Sequence, residues 1–468
     1  MKLALSVVFT LALQCPAVSA AEQIVTLGDS LTYAYESEFG TQVSIPFVVS
    51  YGDGFGSKVC NWVEILNKTT YRNASFDIGS RDTLHIIGGA DFFFRNRYNW
   101  ALPGMKINDL SKFLNHEVTL NAMLGPDLAN LLALTNFNEA DDFAIGELES
   151  QIQTTAERLT LFIGGNDIRG VYGDIYNNNA PGTFVADFVR DATAIIDRVR
   201  FLRPNLQIVL VNVPHVGITP EVKSKWPTDP IKTGRVTTVL LDLNRQLAAL
   251  ATSRNIGYAD VFNPTLSLLT AAPLCIHGIT IANSGSTTGN LAFVWLNGPV
   301  SKNFHPNTSA QAIIANAVIA AFNTRYHTGI APLSATEILG GLLAKTPAQI
   351  DMTFASWMTG FGLTGLPPGD DSDGDGLTAG VEFALGLNPI LRDSDMVSTH
   401  ITGNALELAY PIRLPVSTRY TLTPTHSANL TSFIAVSPLP APGPDGLAHA
   451  LLPISNTPGF MRLEATVP

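Results

Sequence analysis

Gly28-Asp29-Ser30-Leu31-Thr32 follows the apolar, β-branched run Ile24-Val25-Thr26-Leu27 near the start of the chain. This order predicts a strand that ends in a turn and delivers a serine to its own carboxyl end. Ligands bind at the carboxyl ends of strands in open parallel sheets, so the Ser30 hydroxyl is placed where a site can form. A Gly-Asp-Ser sequence is usually only a turn, and the meaning of this one depends on the rest of the chain.

Strand-like and helix-like stretches alternate between residues 21 and 326, which predicts a doubly wound α/β domain. The predicted strands are short, apolar and β-branched, and they cover residues 23–27, 74–78, 158–163, 207–213 and 256–262. The predicted helices cover residues 58–66, 107–114, 145–157, 183–202, 237–254 and 309–326. Two aromatic-rich insertions, 33–56 and 81–98, are long enough to be functional lips or loops.

Three further stretches are predicted to meet Ser30 at one edge of this sheet. Gly104 ends the turn Asn99-Trp100-Ala101-Leu102-Pro103-Gly104, and Asn166 lies in Gly164-Gly165-Asn166-Asp167, directly after a predicted strand. His305 precedes the last predicted helix. A hydroxyl, an imidazole and hydrogen-bond donors on one face are what acyl transfer requires.

These four blocks, in this order, resemble those of the SGNH/GDSL hydrolase family over roughly residues 23 to 326. The resemblance implies a three-layer α/β/α flavodoxin-like fold and ester hydrolysis through an acyl-enzyme, without a cofactor for catalysis. It implies Ser30 as nucleophile and His305 as base. It also implies an oxyanion hole formed by the N–H groups of Ser30 and Gly104 and by the Asn166 side chain.

The sequence departs from the family pattern three residues before the histidine, where the family has an aspartate and this chain has Lys302. A lysine cannot accept the imidazole N–H. We therefore expect Lys302 to face solvent and His305 to be oriented by a backbone carbonyl or by another acceptor, such as Asn297 or Asp260. His215 is a second candidate base at the sheet edge. The departure leaves open a catalytically impaired binding or adhesion protein that keeps the fold.

Aromatic residues of the two insertions suggest a lip over the site. Tyr33 and Tyr35 lie in the first insertion, and Phe93 and Phe94 lie in the second. These rings would form an apolar or sugar-stacking surface above Ser30. The alternative is that they pack the insertions against each other.

Composition limits the partners and the location of the protein. A formal net charge of -11 and a sequence pI near 5.2 argue against nucleic acid or an anionic membrane as partner. Residues 1–20 have Lys2, an apolar run and small residues at the end, which predicts a signal peptide and a secreted or periplasmic protein. No other long apolar run predicts a transmembrane segment. Cys60 and Cys275 are predicted either as a disulfide or as two buried thiols.

Beyond the hydrolase domain, predicted for residues 21–328, an acidic loop lies in a helical linker, 329–395. Oxygen ligands fall at the positions of a calcium loop, namely Asp371, Asp373, Asp375, the Leu377 carbonyl and Glu382. The loop resembles those of thrombospondin type 3 repeats and dockerins and predicts structural Ca²⁺; the alternative is a solvated acidic linker.

Residues 396–468 alternate apolar and polar side chains between Pro- and Gly-rich turns, which predicts a small β-sandwich. The function of this module is open between anchoring to a cell surface, polysaccharide binding and simple packing. The whole chain is thus predicted to be a secreted serine ester hydrolase that acts on lipid or acetylated-carbohydrate esters, with a small molecule or a polymer as substrate.

Overall fold

The structure, a computed structural model, describes residues 21–40, 52–55, 58–68, 70–86, 90–119, 141–179, 181–413, 419–436, 447–454 and 459–467. The predicted signal peptide, residues 1–20, lies outside the described residues.

Sixteen strands lie in the described residues: β1 (Ile24–Gly28), β2 (Arg81–Ile86), β3 (Ala90–Asn96), β4 (Arg158–Phe162), β5 (Gln207–Val211), β6 (Gly257–Ala259), β7 (Leu274–Ile276), β8 (Ile279–Ser286), β9 (Phe293–Leu296), β10 (His305–Pro306), β11 (Ser398–Thr402), β12 (Ala405–Pro411), β13 (Thr421–Ser427), β14 (Ile434–Ala435), β15 (Leu447–Pro453) and β16 (Phe460–Thr466).

Eleven α-helices lie in the same part of the chain: α1 (Trp62–Asn67), α2 (Ile107–Leu114), α3 (Asp141–Ser150), α4 (Gly165–Tyr176), α5 (Phe184–Leu202), α6 (Pro220–Lys225), α7 (Pro230–Ser253), α8 (Thr308–Tyr326), α9 (Pro347–Ile350), α10 (Phe354–Gly360) and α11 (Ala379–Leu385). Three π-helical turns occur at Glu36–Gly40, Gln151–Thr155 and Thr336–Leu342, and 3₁₀ turns at Val216–Ile218, Asn263–Leu269 and Ser394–Met396.

A four-stranded parallel sheet in the order β1-β4-β5-β6 forms the centre of the α/β part. Alternate residues of β1 point to opposite faces, because successive side chains of a strand do so. Leu27 packs in a core with residues of α2, α5 and α7, whereas Ile24 packs in a second core with residues of α1 and α8. Helices therefore cover both faces, and the predicted three-layer α/β/α fold is confirmed.

The predicted strand at residues 74–78 is wrong. The stretch makes only one isolated parallel bridge to the sheet, between Asp77 and Gln23. Its first residues fold back into a turn, in which the N–H groups of Ser75 and Phe76 donate to the Arg72 carbonyl at 2.8 and 3.0 Å. Local backbone bonding therefore replaces most of the ladder that the β-branched pattern suggested.

A second sheet, in the order β10-β9-β8-β7, was not predicted. It is mixed, because β8 pairs with β9 in parallel and β9 pairs with β10 antiparallel. Strand β10 is only two residues long and begins with His305, which lies opposite Leu296 of β9. This sheet therefore fixes the loop that carries the histidine.

The C-terminal part contains two three-stranded antiparallel sheets, β11-β12-β15 and β14-β13-β16. This arrangement is consistent with the predicted β-rich domain. Helix α11 packs against it, since Leu385 shares a core with Leu408 and Tyr410 of β12. The helix follows directly after the acidic loop.

Two observations concern the membrane and cysteine predictions. Within the residues that the structure describes, no helix combines the length and apolar character needed to cross a membrane. Cys60 and Cys275 are free thiols. The Cys60 sulfur lies 3.0 Å from Lys68 Nζ, and the Cys275 sulfur lies 3.6 Å from the Leu387 carbonyl. Of the two alternatives left open for this pair, the structure has the thiols.

Candidate active site

Strand β1 delivers Ser30 to a buried turn at the carboxyl edge of the sheet. The N–H groups of Thr32 and Tyr33 both donate to the Asp29 carbonyl at 3.0 Å, which closes the turn. Glycine is required at position 28, because a Cβ there would lie 2.4 Å from the Phe162 carbonyl oxygen of β4. The Ser30 side chain is thereby held at one place, with only 4% of the residue exposed.

The structure brings His305 to Ser30 across 275 residues of sequence. His305 Nε2 lies 2.8 Å from Ser30 Oγ, which is hydrogen-bond distance for proton transfer. The imidazole packs against the Phe39 ring at 5.0 Å between centroids and edge-on against Phe304 at 5.5 Å. Aromatic packing and the Ser30 contact therefore fix the orientation of the ring.

The other imidazole nitrogen bonds to the backbone. His305 Nδ1 donates to the Ser301 carbonyl oxygen at 2.9 Å, so the ring keeps its acceptor nitrogen toward Ser30. Lys302 is exposed, as expected. Of the three orienting groups considered from the sequence, the structure has the backbone carbonyl; the Asp260 carboxylate instead accepts from Asn212 and Asn263 at 2.7 and 2.6 Å.

Burial lowers the pKa of His305 from its ordinary 6.5 to about 4. Desolvation penalises the charged imidazolium, and the positive charge of Arg169 acts in the same direction. The hydrogen bond to Ser301 and the charges of Asp53 and Glu221 oppose this shift. The resting imidazole is therefore neutral at physiological pH and able to accept a proton.

The predicted oxyanion donors lie on segments that meet the Ser30 turn: the Leu102 N–H donates to the Gly28 carbonyl at 3.1 Å, and a Cβ on Gly165 would lie 3.4 Å from Asp29 Oδ2. Gly104 is exposed and has a left-handed backbone with φ of 80°, and in the part of the chain that the structure describes its N–H and that of Ser30 donate to no other residue. The Asn166 side-chain amide donates one hydrogen to the Met105 carbonyl at 3.2 Å, which leaves its second hydrogen free.

Asn99 connects the turn that carries Gly104 to strand β1 and the Ser30 turn. Its amide donates to the Thr32 carbonyl at 2.9 Å, and its oxygen accepts from the Thr26 hydroxyl at 2.9 Å. The residue is fully buried, so it has a supporting position between β1 and the turn that leads to Gly104.

An apolar cavity of about 50 Å³ lies next to the pair. It is lined by residues that flank the pair in sequence, Leu31, Phe304 and Pro306, together with others such as Trp295 and Ile314. His215 also lines it, but this ring is fully buried and already engaged, with Nδ1 accepting from the Gly217 N–H at 3.1 Å. His215 is therefore a structural residue of the cavity wall, and it does not contact Ser30.

The predicted aromatic lip is wrong for Tyr33 and Tyr35, because both are buried, at 1% and 0% exposed. The Tyr35 hydroxyl donates to the Pro306 carbonyl at 3.0 Å, so this ring supports the histidine loop from inside. Strand β3 contains Phe93 and Phe94, but their side chains lie outside the described residues.

The acidic loop forms a second candidate site. Carboxylate oxygens of Asp371, Asp373 and Asp375 all lie within 4.8 Å of one another. Glu382 follows on α11, and its residue is only 1% exposed. Its Oε1 is buried without a hydrogen-bond partner in the described residues, as is Oδ1 of Asp393.

A serine hydroxyl bonded to a neutral imidazole at the carboxyl edge of a parallel sheet is the arrangement of α/β serine hydrolases. The sequence agrees with this class, because the model of the family described as GDSL-like lipase/acylhydrolase matches residues 24–318. The chain belongs to this family and is an ester-bond hydrolase. No curated protein matches it significantly.

Solved structures with a similar fold include lipases and esterases. A lipase from a goat rumen metagenome is 12% identical, with a TM-score of 0.34, and the match covers 64% of this chain and 97% of that one. An acetyl-xylooligosaccharide esterase mutant from Geobacillus stearothermophilus is 12% identical, with a TM-score of 0.33 and coverage of 65% and 95%. Phospholipase A1 from Streptomyces albidoflavus is 14% identical, with a TM-score of 0.33 and coverage of 65% and 100%. Similarity at this level says nothing about the substrate of this chain.

Proposed function

We propose that the protein is an exported serine esterase that works through an acyl-enzyme, with Ser30 as nucleophile and His305 as general base. The observation that carries the proposal is the 2.8 Å contact between Ser30 Oγ and His305 Nε2. Lys302 stands in place of the usual carboxylate and is exposed. The Ser301 carbonyl keeps the imidazole proton on Nδ1, so Nε2 is free to accept the Ser30 proton. The protein is then a dyad enzyme, in preference to a silent binding protein with the same fold.

The reaction proceeds in two halves. His305 Nε2 takes the Ser30 proton as Oγ bonds to the ester carbonyl carbon, and the negative oxygen is stabilised by the N–H groups of Ser30 and Gly104 and by the Asn166 amide. The tetrahedral intermediate collapses, and Nε2–H protonates the departing alcohol. A water molecule, deprotonated by Nε2, then attacks the acyl carbon, and the second tetrahedral intermediate breaks its bond to Ser30 Oγ. Nε2–H returns its proton to Oγ, which releases the carboxylic acid and restores Ser30.

The apolar cavity supports esters with an apolar acyl group. Leu31, Phe304 and Pro306, which are sequence neighbours of Ser30 and His305, contribute to its wall, so apolar side chains lie close to the position of an acyl group on Ser30. Both ester classes predicted from the sequence, lipid esters and acetylated carbohydrates, carry an apolar acyl group. Contact of the β-rich module with a cell surface or a polysaccharide stays a prediction from the sequence.

The test is turnover of p-nitrophenyl acetate, butyrate and octanoate by the full chain. We expect Ser30→Ala and His305→Ala each to lower kcat by about 10³-fold or more, since each removes a group that acts in the transition state. Ser253→Ala, on an exposed turn of α7, is the matched control and should retain full activity. Equal, slow hydrolysis by wild type and His305→Ala would favour the silent binding protein.

We further propose that the loop from Asp371 to Glu382 binds one structural Ca²⁺. Calcium takes six to eight oxygen ligands, and the loop offers the carboxylates of Asp371, Asp373 and Asp375 and the Leu377 carbonyl. The strongest support is Glu382, whose buried Oε1 has no partner among the described residues and sits at the twelfth position of the loop. A buried carboxylate oxygen without a partner is costly, and a bound cation would satisfy it.

Asp393 extends this ligand set beyond the motif. Its buried Oδ1 also lacks a partner in the described part of the chain, and its N–H donates to Asp375 Oδ2 at 3.1 Å. The ion would then connect the loop, α11 and the segment that enters the β-rich module.

A further inference from the structure

The turn before His305 holds the Ser301 carbonyl through several backbone bonds. The Lys302 N–H donates to the Gly298 carbonyl and the Phe304 N–H donates to the Ser301 carbonyl, both at 3.0 Å. Lys302 and Asn303 both adopt left-handed backbones, with φ of 51° and 60°. Residues other than Gly, Asn and Asp rarely adopt this conformation, so the left-handed Lys302 needs support from other parts of the structure.

Asp53 supplies that support from the first insertion. Its Oδ1 accepts the Val300 N–H at 2.8 Å, and its Oδ2 accepts the Ser301 N–H at 3.0 Å. The carboxylate lies so close to the turn that a Cβ on Gly298 would be 2.2 Å from the Asp53 carboxyl carbon. Asp53 is 9% exposed, so the side chain is built into the turn.

Asp53 also contributes a negative charge that acts on the imidazole and that no ion pair compensates in the described residues. The charged groups that act on His305 are Arg169 of α4, Glu221 of α6 and Asp53. Glu221 is paired with Arg169 through two hydrogen bonds of 3.1 and 2.8 Å, so its charge is largely compensated. Asp53 forms no ion pair within the described ranges, and its two partners are neutral N–H groups.

We propose that Asp53 is a positioning residue. It replaces, through backbone hydrogen bonds, the role of the missing family aspartate in orienting and stabilising the catalytic histidine. It fixes the turn so that the Ser301 carbonyl faces His305 Nδ1, and its negative charge stabilises the imidazolium that forms during attack. The Asp53 carboxylate thus acts on His305 through the backbone of residues 300 and 301, without contacting the ring, whereas the family aspartate lies at the position of Lys302. This inference rests on the proposed role of His305 as general base.

The test compares Asp53→Asn with Asp260→Asn in the full chain, using p-nitrophenyl butyrate. Asp260 is the matched control, because its carboxylate also accepts backbone N–H groups at this edge, those of Phe262 and Asn263, without contacting His305. We expect Asp53→Asn to lower kcat by about 10- to 100-fold with KM within twofold, less than the loss of a directly bonded triad carboxylate. Asp260→Asn should stay within threefold of wild type.

The pH profile separates positioning from a merely structural role. Loss of the Asp53 charge disfavours the imidazolium, so the acid limb of kcat/KM should move to lower pH in Asp53→Asn and stay in place in Asp260→Asn. An unchanged kcat, an equal loss in both variants, or a loss with an unmoved acid limb would each overturn the inference.

Folding of the variant is followed by thermal unfolding and by labelling of Ser30 with a fluorophosphonate. If Asp53→Asn does not fold, Asp53→Ser, which keeps one acceptor oxygen, takes its place, and failure of both to fold would make Asp53 a folding residue and refute the proposal. Activity in His305→Ala would refute the proposed function itself, whereas an inactive His305→Ala beside a fully active Asp53→Asn would refute the Asp53 inference alone.

Discussion

Lys302 stands where the family pattern has a carboxylate, yet the histidine beside it already has an acceptor. The Ser301 carbonyl occupies Nδ1 at 2.9 Å, and the Lys302 side chain is exposed. An aspartate introduced at this position would have to displace that carbonyl to reach the ring. The residue is therefore a poor site for restoring a triad.

We predict that Lys302→Asp changes kcat on p-nitrophenyl butyrate by less than about threefold, because the imidazole keeps its backbone acceptor. The left-handed backbone at 302, with φ of 51°, should tolerate aspartate at least as well as lysine. Steady-state kinetics at pH 7.5 measure the effect, with Lys345→Asp, at a partly exposed position of the linker, as the charge-matched control. A tenfold rise in kcat would show that an aspartate at 302 does reach His305.

For single residues, the sequence predicts which side chains belong to the site better than it predicts which backbone groups do. Ser30, Gly104, Asn166 and His305 follow strand ends or precede a helix, and the structure brings them to one edge. The Ser301 carbonyl carries no sequence signal, because every residue has the same carbonyl group. Residues 295–305 contain no Asp or Glu, and this absence is the sequence feature that indicates a backbone acceptor for the His305 ring.

Elements with strong local signals were predicted closely, and those set by long-range pairing were not. Strand β1 and helix α2 lie within one residue of their predicted bounds. Helix α7 begins seven residues before its predicted start at 237, where the Asp229 carboxylate caps the helix and Pro230 takes its first position. The β7–β10 sheet was missed, because its strands are short and pair through irregular registers.

The acidic loop and helix α11 form the element on which calcium should act. We predict that EGTA lowers the unfolding temperature of the C-terminal transition, because calcium at about 100 times its dissociation constant adds about 2.7 kcal/mol to the free energy of unfolding. Glu382→Gln should lower this temperature in calcium and lose most of the response to EGTA. Differential scanning calorimetry, with calcium titration by calorimetry for stoichiometry, measures both.

Asp370→Asn is the control for this experiment, since Asp370 adjoins the loop but lies outside the proposed ligand positions. It should respond to EGTA as wild type does. A calcium-independent melting curve in wild type, with no heat of binding, would leave the solvated acidic linker as the correct interpretation.

For the whole molecule, buried ionisable groups around the active site set the pH dependence of stability. Burial raises the pKa of Asp29 to about 7 and raises the pKa of Glu38 well above its ordinary value. Burial lowers the pKa of His305 and His215 from 6.5 to about 4. The two carboxyls favour the folded state at low pH, and the two histidines favour it at higher pH.

The two opposing effects leave a net loss of stability above pH 7. Between about pH 4 and 6.5 the folded chain binds extra protons at Asp29 and Glu38, while the unfolded chain binds extra protons at the histidines, so the slopes oppose each other. Above about pH 7.5 the histidines are essentially neutral in both states, and the buried carboxyls are the groups of this set that still lose protons on the way to higher pH. We therefore predict a lower unfolding temperature at pH 9 than at pH 7.5, measured in saturating calcium so that the acidic loop contributes equally.

Glu38→Gln isolates one of these groups. Glu38 is 3% exposed, and its buried Oε2 has no partner among the described residues, so a neutral amide of the same shape removes the ionisation without emptying the site. The variant should lose a large part of the decline in unfolding temperature between pH 7.5 and 9, whereas Glu117→Gln, at an exposed position after α2, should follow wild type. If Glu38→Gln declines as steeply as wild type, then Glu38 is not protonated in the folded chain near neutral pH, and the buried carboxyls do not set the alkaline limit of stability.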